Sequence, residues 1–488
     1  MTNSPASRRE AFRLRCMSLA LAFALLTAAC GGSSDSAGSD SPNSTEVADS
    51  PATTTPADSS TEDPSPATTD AGSDDDSSPD STASDEPVEL TASYQGVTES
   101  EIHVGISMID FDNLVELNLA PQGWGDQILV FQSFIDELNG RGGINGRTVV
   151  PHFEHYSVLG TTEAEATCVA LTGDIETFAV LGGFVGPAET ANGCIVDINE
   201  TILVGGRQTQ ERLDQAKAPW IDTPALRERR LGIFLELLEQ EGMLEDRQVA
   251  VIGSIEQEDV YDTASAALEE RGLSPVLEAI NDAPQGETDA ASARWQVLAE
   301  NIKASGADTV LVIGSSQAAV RGASVNGLDV ELWVLEDTGL QNLGAATTPA
   351  DAHGAVTITS LSAQATWDHP SLAPCRDTFF AANPDVEVVE PDDQVDGDEQ
   401  WDRAISLHCR TLQLFELIAT AAGPNLTQES FAAAAEGLGE FSLPGFPFVS
   451  LGPGKPDASD SFLLARFDQD QGENGGLVPF SELLDGTP

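Results

Sequence analysis

The sequence predicts an α/β protein of two domains, each a mostly parallel sheet flanked by helices. Three observations lead there. Short apolar runs alternate with helix-period stretches from Glu101 onward. The alternation completes one series near Val204 and restarts at Gln248. About 395 residues follow a low-complexity leader, which is room for two packed cores.

Taken in order, Ile102 to Met108 (IHVGISM) is a buried strand. Asp126 to Asn139 is an amphipathic helix with Ile128, Phe131, Phe134, Ile135 and Leu138 on one face. Asn145-Gly146 is a tight turn into the strand Thr148 to Tyr156. A helix from Thr162 to Thr172 leads to the strand Phe178 to Leu181. After a glycine-rich bend, Pro187 suits a helical first turn, and that helix is expected to reach about Asn199. Ile202 to Val204 is a short strand. The helix Leu226 to Glu241 opens the second series. Strands at Gln248 to Ile252, Pro275 to Ile280, Thr309 to Ile313 and Glu331 to Leu335 then alternate with helices at Asp259 to Arg271, Ala291 to Ser305 and Gln317 to Asn326. Two further helices, Ala373 to Ala382 and Asp402 to Ala422, come after that series.

The segment before the first strand carries no chemistry but sets the location. Residues 1–15 hold Arg8, Arg9, Arg13 and Arg15 against Glu10, and residues 16–29 are almost wholly apolar. That is the layout of a secretory signal, and the run falls short of the about 20 apolar residues of a membrane span. Thr27-Ala28-Ala29-Cys30 after Leu25-Leu26 resembles a bacterial lipobox. The resemblance implies cleavage before Cys30 and a lipid on it. Residues 1–29 are thus expected as signal peptide, and the protein as exported, anchored in the cell membrane and facing outward. Residues 30–95 read as a disordered tether, because 31–92 hold fifteen acids, no lysine or arginine, and scarcely a large apolar side chain.

The chain carries 80 acidic and 22 basic residues, a formal charge of −58. The excess persists through the folded part and argues against nucleic acid as a partner. Of the six cysteines, Cys16 falls in the signal and Cys30 at the anchor. An even remainder in an exported chain reads as two disulfides. Three pairings are possible, and the sequence-local one, Cys168 with Cys194 and Cys375 with Cys409, is the simplest. Zinc would need closer ligand spacing. In HFEH the strand puts His152 and His155 on opposite faces, so no metal site is expected there. GGFVG lacks the lysine and spacing of a phosphate loop, and no GxSxG elbow occurs. Neither a cofactor nor catalysis is expected.

Several segments carry a resemblance by their order along the chain. They are EIHVGIS, NGRGGINGR, FAVLGGFVGPAETA with ILVGG, APWIDT, QVAVIGS with Asp259 and Tyr261, CRDTFFAANPD and QWDRAISL. Together they resemble the ABC-importer solute-binding proteins of the leucine/isoleucine/valine-binding type over about residues 98–430. The resemblance implies a two-lobed type I periplasmic binding fold with a ligand cleft between lobes. Lobe 1 is then expected at 96–220 plus 347–440, and lobe 2 at 221–346 plus 441–488. It also supports the bridge between Cys168 and Cys194. A small-molecule solute, an importer permease and the membrane are the implied partners, with a monomer expected.

Ligands of such sheets bind beyond the carboxyl ends of the strands. That rule selects Ser107 and Trp124 after the first strand, and Glu189 and Thr190 after FAVL, at a helix start whose N–H groups suit a carboxylate. It also selects Arg207, Gln208 and Thr209 after ILV, Tyr261 after QVAVIGS, and Glu336, Asp337 and Thr338 after the strand ending at Leu335. Amino-acid binders of that family hold the α-carboxylate with hydroxyls and the ammonium with an acid of the last loop. Here Pro187 and Ala188 stand where serines are usual, and Thr338 stands at the acid's place with Glu336 and Asp337 before it. A plain branched-chain amino acid fits that pattern poorly, whereas Arg207 suits an anionic group.

Overall fold

The computed structural model describes residues 90–488 apart from 118–119, 121, 284–287, 342, 344–346, 396 and 473. The signal peptide, Cys30 and the tether up to residue 89 lie outside the described residues.

The first sheet holds β1 (Glu101–Ile109), β2 (Thr148–Tyr156), β3 (Ala179–Gly182), β4 (Ile202–Gly205) and β5 (Trp220–Ile221). All are parallel, in the order β2-β1-β3-β4-β5. The second sheet starts with β6 (Val249–Ser254), β7 (Leu277–Asn281), β8 (Thr309–Ile313), β9 (Glu331–Val334) and β10 (Val356–Thr359). A two-stranded ribbon follows, β11 (Gly439–Glu440) with β12 (Ser450–Leu451). The chain then returns to the second sheet through β13 (Ser461–Asp468), β14 (Gly476–Pro479) and β15 (Leu484–Asp485). Its order is β14-β13-β10-β9-β8-β6-β7, with β15 also on β13. The five earlier strands are parallel and the tail strands antiparallel.

Both sheets are covered on both faces, which is why their strands read as unbroken apolar runs. In β6, Val249 and Val251 face one core with Phe234 and Leu238. Ala250 and Ile252 face another with Trp295 and Leu298. In the first sheet, Ile102, Val104 and Ile106 pack on Phe131, Phe134 and the helix Trp401–Ala421. The opposite face is filled by Cys168, Leu171 and Ile195.

The chain crosses between sheets at Asp222–Thr223, after Thr359, and again at Asp457–Ser459. The first and last crossings lie side by side. Asp222 N–H donates to Pro456 O at 3.0 Å, Ala458 N–H to Asp222 O at 2.9 Å, and Ser459 N–H to Thr223 O at 2.8 Å.

Four expectations need correction. β10 pairs with β9 through Val356↔Trp333 and Thr357↔Val334, so residues 347 to about 360 belong with the second sheet. Its four residues VTIT are all buried, and so short a run gives no period to read. Leu443, Val449, Leu451 and Ala458 lie in the first sheet's core, so the return to the second sheet falls near Asp460 and not at 441. The expected helix from Pro187 to Asn199 is broken into a 3₁₀ turn, Gly186–Ala191, and a wide turn, Cys194–Ile198. Between them Asn192 is drawn into the strand ends, accepting from Phe184 N–H at 2.8 Å and donating to Phe184 O at 2.9 Å. In the helix Gln127–Gly140, Ile128 is exposed and Val130 takes its place in the core.

Both sequence-local disulfides are formed, with Cα separations of 6.3 Å for Cys168–Cys194 and 6.0 Å for Cys375–Cys409. Cys168 is fully buried on the inner face of the helix Thr161–Val169. Cys168→Ser with Cys194→Ser is expected to lower stability by about 2–4 kcal/mol. Urea denaturation of this variant against the oxidised protein checks it. A cost under about 1 kcal/mol would mean that the bridge closes a loop already ordered in the unfolded chain.

Candidate functional site

The carboxyl ends of both sheets bring charged side chains to one line. After β1, Asp110 caps a short helix, its Oδ1 accepting from Asn113 N–H at 3.0 Å. Phe111 then stacks on Trp124 with ring centroids 4.6 Å apart. Gln400 N–H donates to Gly123 O at 2.9 Å and Gly125 N–H to Glu399 Oε2 at 2.9 Å, which ties this loop to the start of the helix Trp401–Ala421. After β3, Gly182 takes a φ of +104°, and a Cβ there would sit 2.6 Å from Ser107 O. The close approach lets Ser107 Oγ donate to Gly183 O at 3.0 Å.

The centre of the line is an alternating chain of ions. Arg227 opens the helix Arg227–Gln240, just past the first crossing. Its Nη1 and Nη2 donate to Glu189 Oε1 at 3.0 Å and Oε2 at 2.9 Å. Glu189 also accepts from Arg212 Nη1 at 3.0 Å. On its other side Arg227 lies 3.4 Å from Glu336, which in turn pairs with Arg207 at 3.2 Å. Arg207 Nη2 further donates to Thr338 Oγ1 at 3.4 Å. Arg207 and Glu189 follow strands of the first sheet, whereas Glu336 and Thr338 follow β9 of the second. The ions therefore link the two sheets directly.

Desolvation alone would raise the Glu336 carboxyl, but Arg207, then Arg227 and Arg230, override it and hold it down to about 2. Burial likewise works against the charge on Glu189, and Arg227 and Arg212 outweigh it, leaving its pKa lowered. Burial would lower Arg227, yet Glu189 and then Glu336 leave it above its ordinary value. Asp222, at the first crossing, is pushed well above the usual carboxylate range by desolvation, against the pull of Arg207.

The sequence-selected residues thus divide. Arg207, Glu189, Glu336 and Thr338 meet in one network. Asp337 stands beside it, accepting from Arg230 Nη2 at 3.1 Å and from Thr359 Oγ1 at 2.6 Å. Ser107 is turned inward. Gln208 is buried and donates to Trp220 O at 2.8 Å, and Thr209 caps the helix Gln210–Gln215. Tyr261 packs its ring on Gly253 at the edge of the second core. Thr190 is exposed. Arg212, Arg227, Arg230 and Arg403 were not selected, because none lies in a loop directly after a strand. Two cavities lie elsewhere, about 280 Å³ beside Pro219 and Trp220 and about 250 Å³ between Phe134 and Leu412, and neither is lined by a selected residue. Among the described residues, no group of three or more His, Cys, Asp or Glu is placed to hold a metal ion, and no helix is long and apolar enough to cross a membrane.

No protein-family model and no curated protein matches the chain. Solved structures do. An ABC transporter solute-binding protein from R. palustris, in complex with 4-hydroxybenzoate, superposes with a TM-score of 0.57 at 17% identity over 80% of this chain and 98% of its own. A periplasmic binding protein type 1 from Bordetella pertussis gives 0.54 at 13% identity, over 78% and 99%. The fold is that of the type I periplasmic binding proteins. A possible leucine/isoleucine/valine-binding protein from Rhodopirellula baltica gives 0.54 at 14% identity, over 78% and 96%. In the periplasmic binding fold found here, the line of ions lies where the two sheets face each other. The serine-rich loop expected from amino-acid binders is replaced by Pro187, Ala188 and a Glu189 already bound to two arginines.

Proposed function

We propose that this chain is an extracytoplasmic solute-binding protein of an ABC importer. It traps a small polar solute between its two sheets by lobe closure and performs no catalysis. A lipid on Cys30 and the acidic tether hold it at the outer face of the cell membrane, from which it delivers solute to a permease as a monomer. The observation that carries the reading is the meeting of Arg207 with Glu336 and of Glu189 with Arg227. Polar side chains from the carboxyl ends of both sheets converge, so a solute bound between them would be touched by both lobes at once. The fold likeness supports this. The R. palustris protein is an ABC transporter solute-binding protein in complex with 4-hydroxybenzoate, so solutes of this fold are not confined to amino acids.

A thermal-shift panel of amino acids, sugars, short peptides and aromatic acids tests it. A solute that binds only the folded state is expected to stabilise by about 2.7 kcal/mol at 100 times its Kd. Silence from every class, with the protein shown folded, would sink the reading.

A further inference from the structure

The strongest unexplained group in the cleft is Arg403. It lies in the first turn of the helix Trp401–Ala421, on the first sheet's side. Among the described residues its guanidinium makes neither an ion pair nor a hydrogen bond. Its neighbour Asp402 is turned away, accepting from Gln394 Nε2 at 2.7 Å. Asp337, across the cleft, is near enough for its charge to act on Arg403 but is engaged by Arg230 and Thr359. Burial lowers the Arg403 pKa, with Asp402 and Asp337 offsetting part of the effect. A cation at a helix N-terminus also opposes the helix dipole. Two unfavourable placements in one side chain are expected where function requires them.

The acids of the cleft show the opposite condition. Glu189 is held by Arg227 and Arg212, Glu336 by Arg207 and Arg227, and Asp337 by Arg230. Asp402 and Asp337, the acids whose charges act on Arg403, are thus both engaged, while among the described residues the Arg403 guanidinium keeps its planar fork of donors for a ligand. In a chain of 80 acids against 22 bases, five arginines gather here: Arg207, Arg212, Arg227, Arg230 and Arg403. The loop that Gln400 holds, three residues before Arg403, carries the half-buried Phe111–Trp124 stack, an apolar surface on the same side.

We infer that the solute is an organic carboxylate with an apolar body and no amine, its anionic group taken by Arg403 and its body laid against Phe111 and Trp124. This rests on the solute-binding reading above and names the class of solute. An amino acid fits worse, because an ammonium one carbon away from a carboxylate on Arg403 would meet Asp402 and Asp337, which are already engaged.

The test is calorimetric titration of the purified protein with benzoate, 4-hydroxybenzoate, octanoate, leucine, phenylalanine and glucose, repeated on Arg403→Gln and Arg403→Lys. At least one amine-free carboxylate is expected to bind, and leucine and phenylalanine at least about tenfold more weakly. Arg403→Gln is expected to weaken that carboxylate at least about tenfold while leaving the unliganded melting temperature unchanged or higher, and Arg403→Lys to recover part of the affinity. Preferential binding of an amino acid or of glucose would overturn the carboxylate inference and leave the solute-binding reading standing. Carboxylate affinity untouched by Arg403→Gln, or a melting temperature that falls with it, would make Arg403 structural and overturn the inference as well. No heat from any of the six, with the protein folded, would overturn the inference, and the broader panel above then decides the reading beneath it.

Discussion

Arg227→Ala is expected to lower the unfolding free energy by about 3–5 kcal/mol, the range for breaking a buried ion pair by removing one partner. The Arg227 side chain is only 6% exposed and those of Glu189 and Glu336 are 7% and 12%. Deleting the guanidinium leaves two buried carboxylates short of their central cation. Arg212 and Arg207 hold only the outer flank of each. Arg227→Lys is expected to recover little, because a single ammonium cannot donate to both Glu189 oxygens in the forked geometry. Removing Glu189 and Arg227 together for apolar residues should cost clearly less than the sum of the single changes, since each single change strands the other's charge. Urea denaturation of the unaltered protein, the two Arg227 variants, the single Glu189 variant and the double variant at one pH and salt concentration decides it. A cost for Arg227→Ala below about 1 kcal/mol would place the pair among solvated surface bridges, against the burial seen here.

Arg227 also shows where the sequence stops being legible. Arg207 and Glu336 are visible in advance because each sits one loop beyond a strand's carboxyl end, a rule of topology that needs no coordinates. Arg227 and Arg403 sit on helices, in RERR and QWDRAIS, where charged residues read as solvated faces. A signal does exist, since both fall in a helix's first turn, the end that disfavours a cation. The same limit applies to the fold. Thr309–Ile313 is legible because four consecutive apolar residues after Thr309, all five buried and bounded by turns, admit few alternatives. Val356–Thr359 is not, because four residues carry no period and its partner strand is reached only through tertiary pairing. The boundary at 441 failed for a related reason. Leu443 to Ala458 is irregular chain whose apolar residues declare their lobe only by the core they enter.

His408 is expected to contribute an acid destabilisation that begins below pH 6.5. The ring is 5% exposed, stacked on Phe131 at 4.3 Å between centroids, and among the described residues its Nε2 has no partner. Desolvation by burial pushes its pKa down to about 3 from an ordinary 6.5. With the folded value depressed, the unfolded chain takes up a proton below pH 6.5 that the folded chain refuses. The stability His408 contributes is therefore complete above 6.5 and is lost as pH falls toward 3. At about 1.36 kcal/mol per unit of separation, the loss reaches about 2 kcal/mol at pH 5. Glu336 acts with the same sign but in a lower window, between its ordinary 4.5 and about 2, so it is silent between pH 7 and 5. Asp222 acts with the opposite sign, because its raised carboxyl favours the folded state most below its ordinary 3.8 and that benefit fades as pH rises. Subtracting the pH profile of His408→Met from that of the unaltered protein cancels both. The difference is expected to be flat above pH 7 and to widen to about 2 kcal/mol by pH 5. Parallel profiles over that range would mean that the folded protein opens enough to protonate His408, and that the helix Trp401–Ala421 is not the closed wall that the burial of its ring requires.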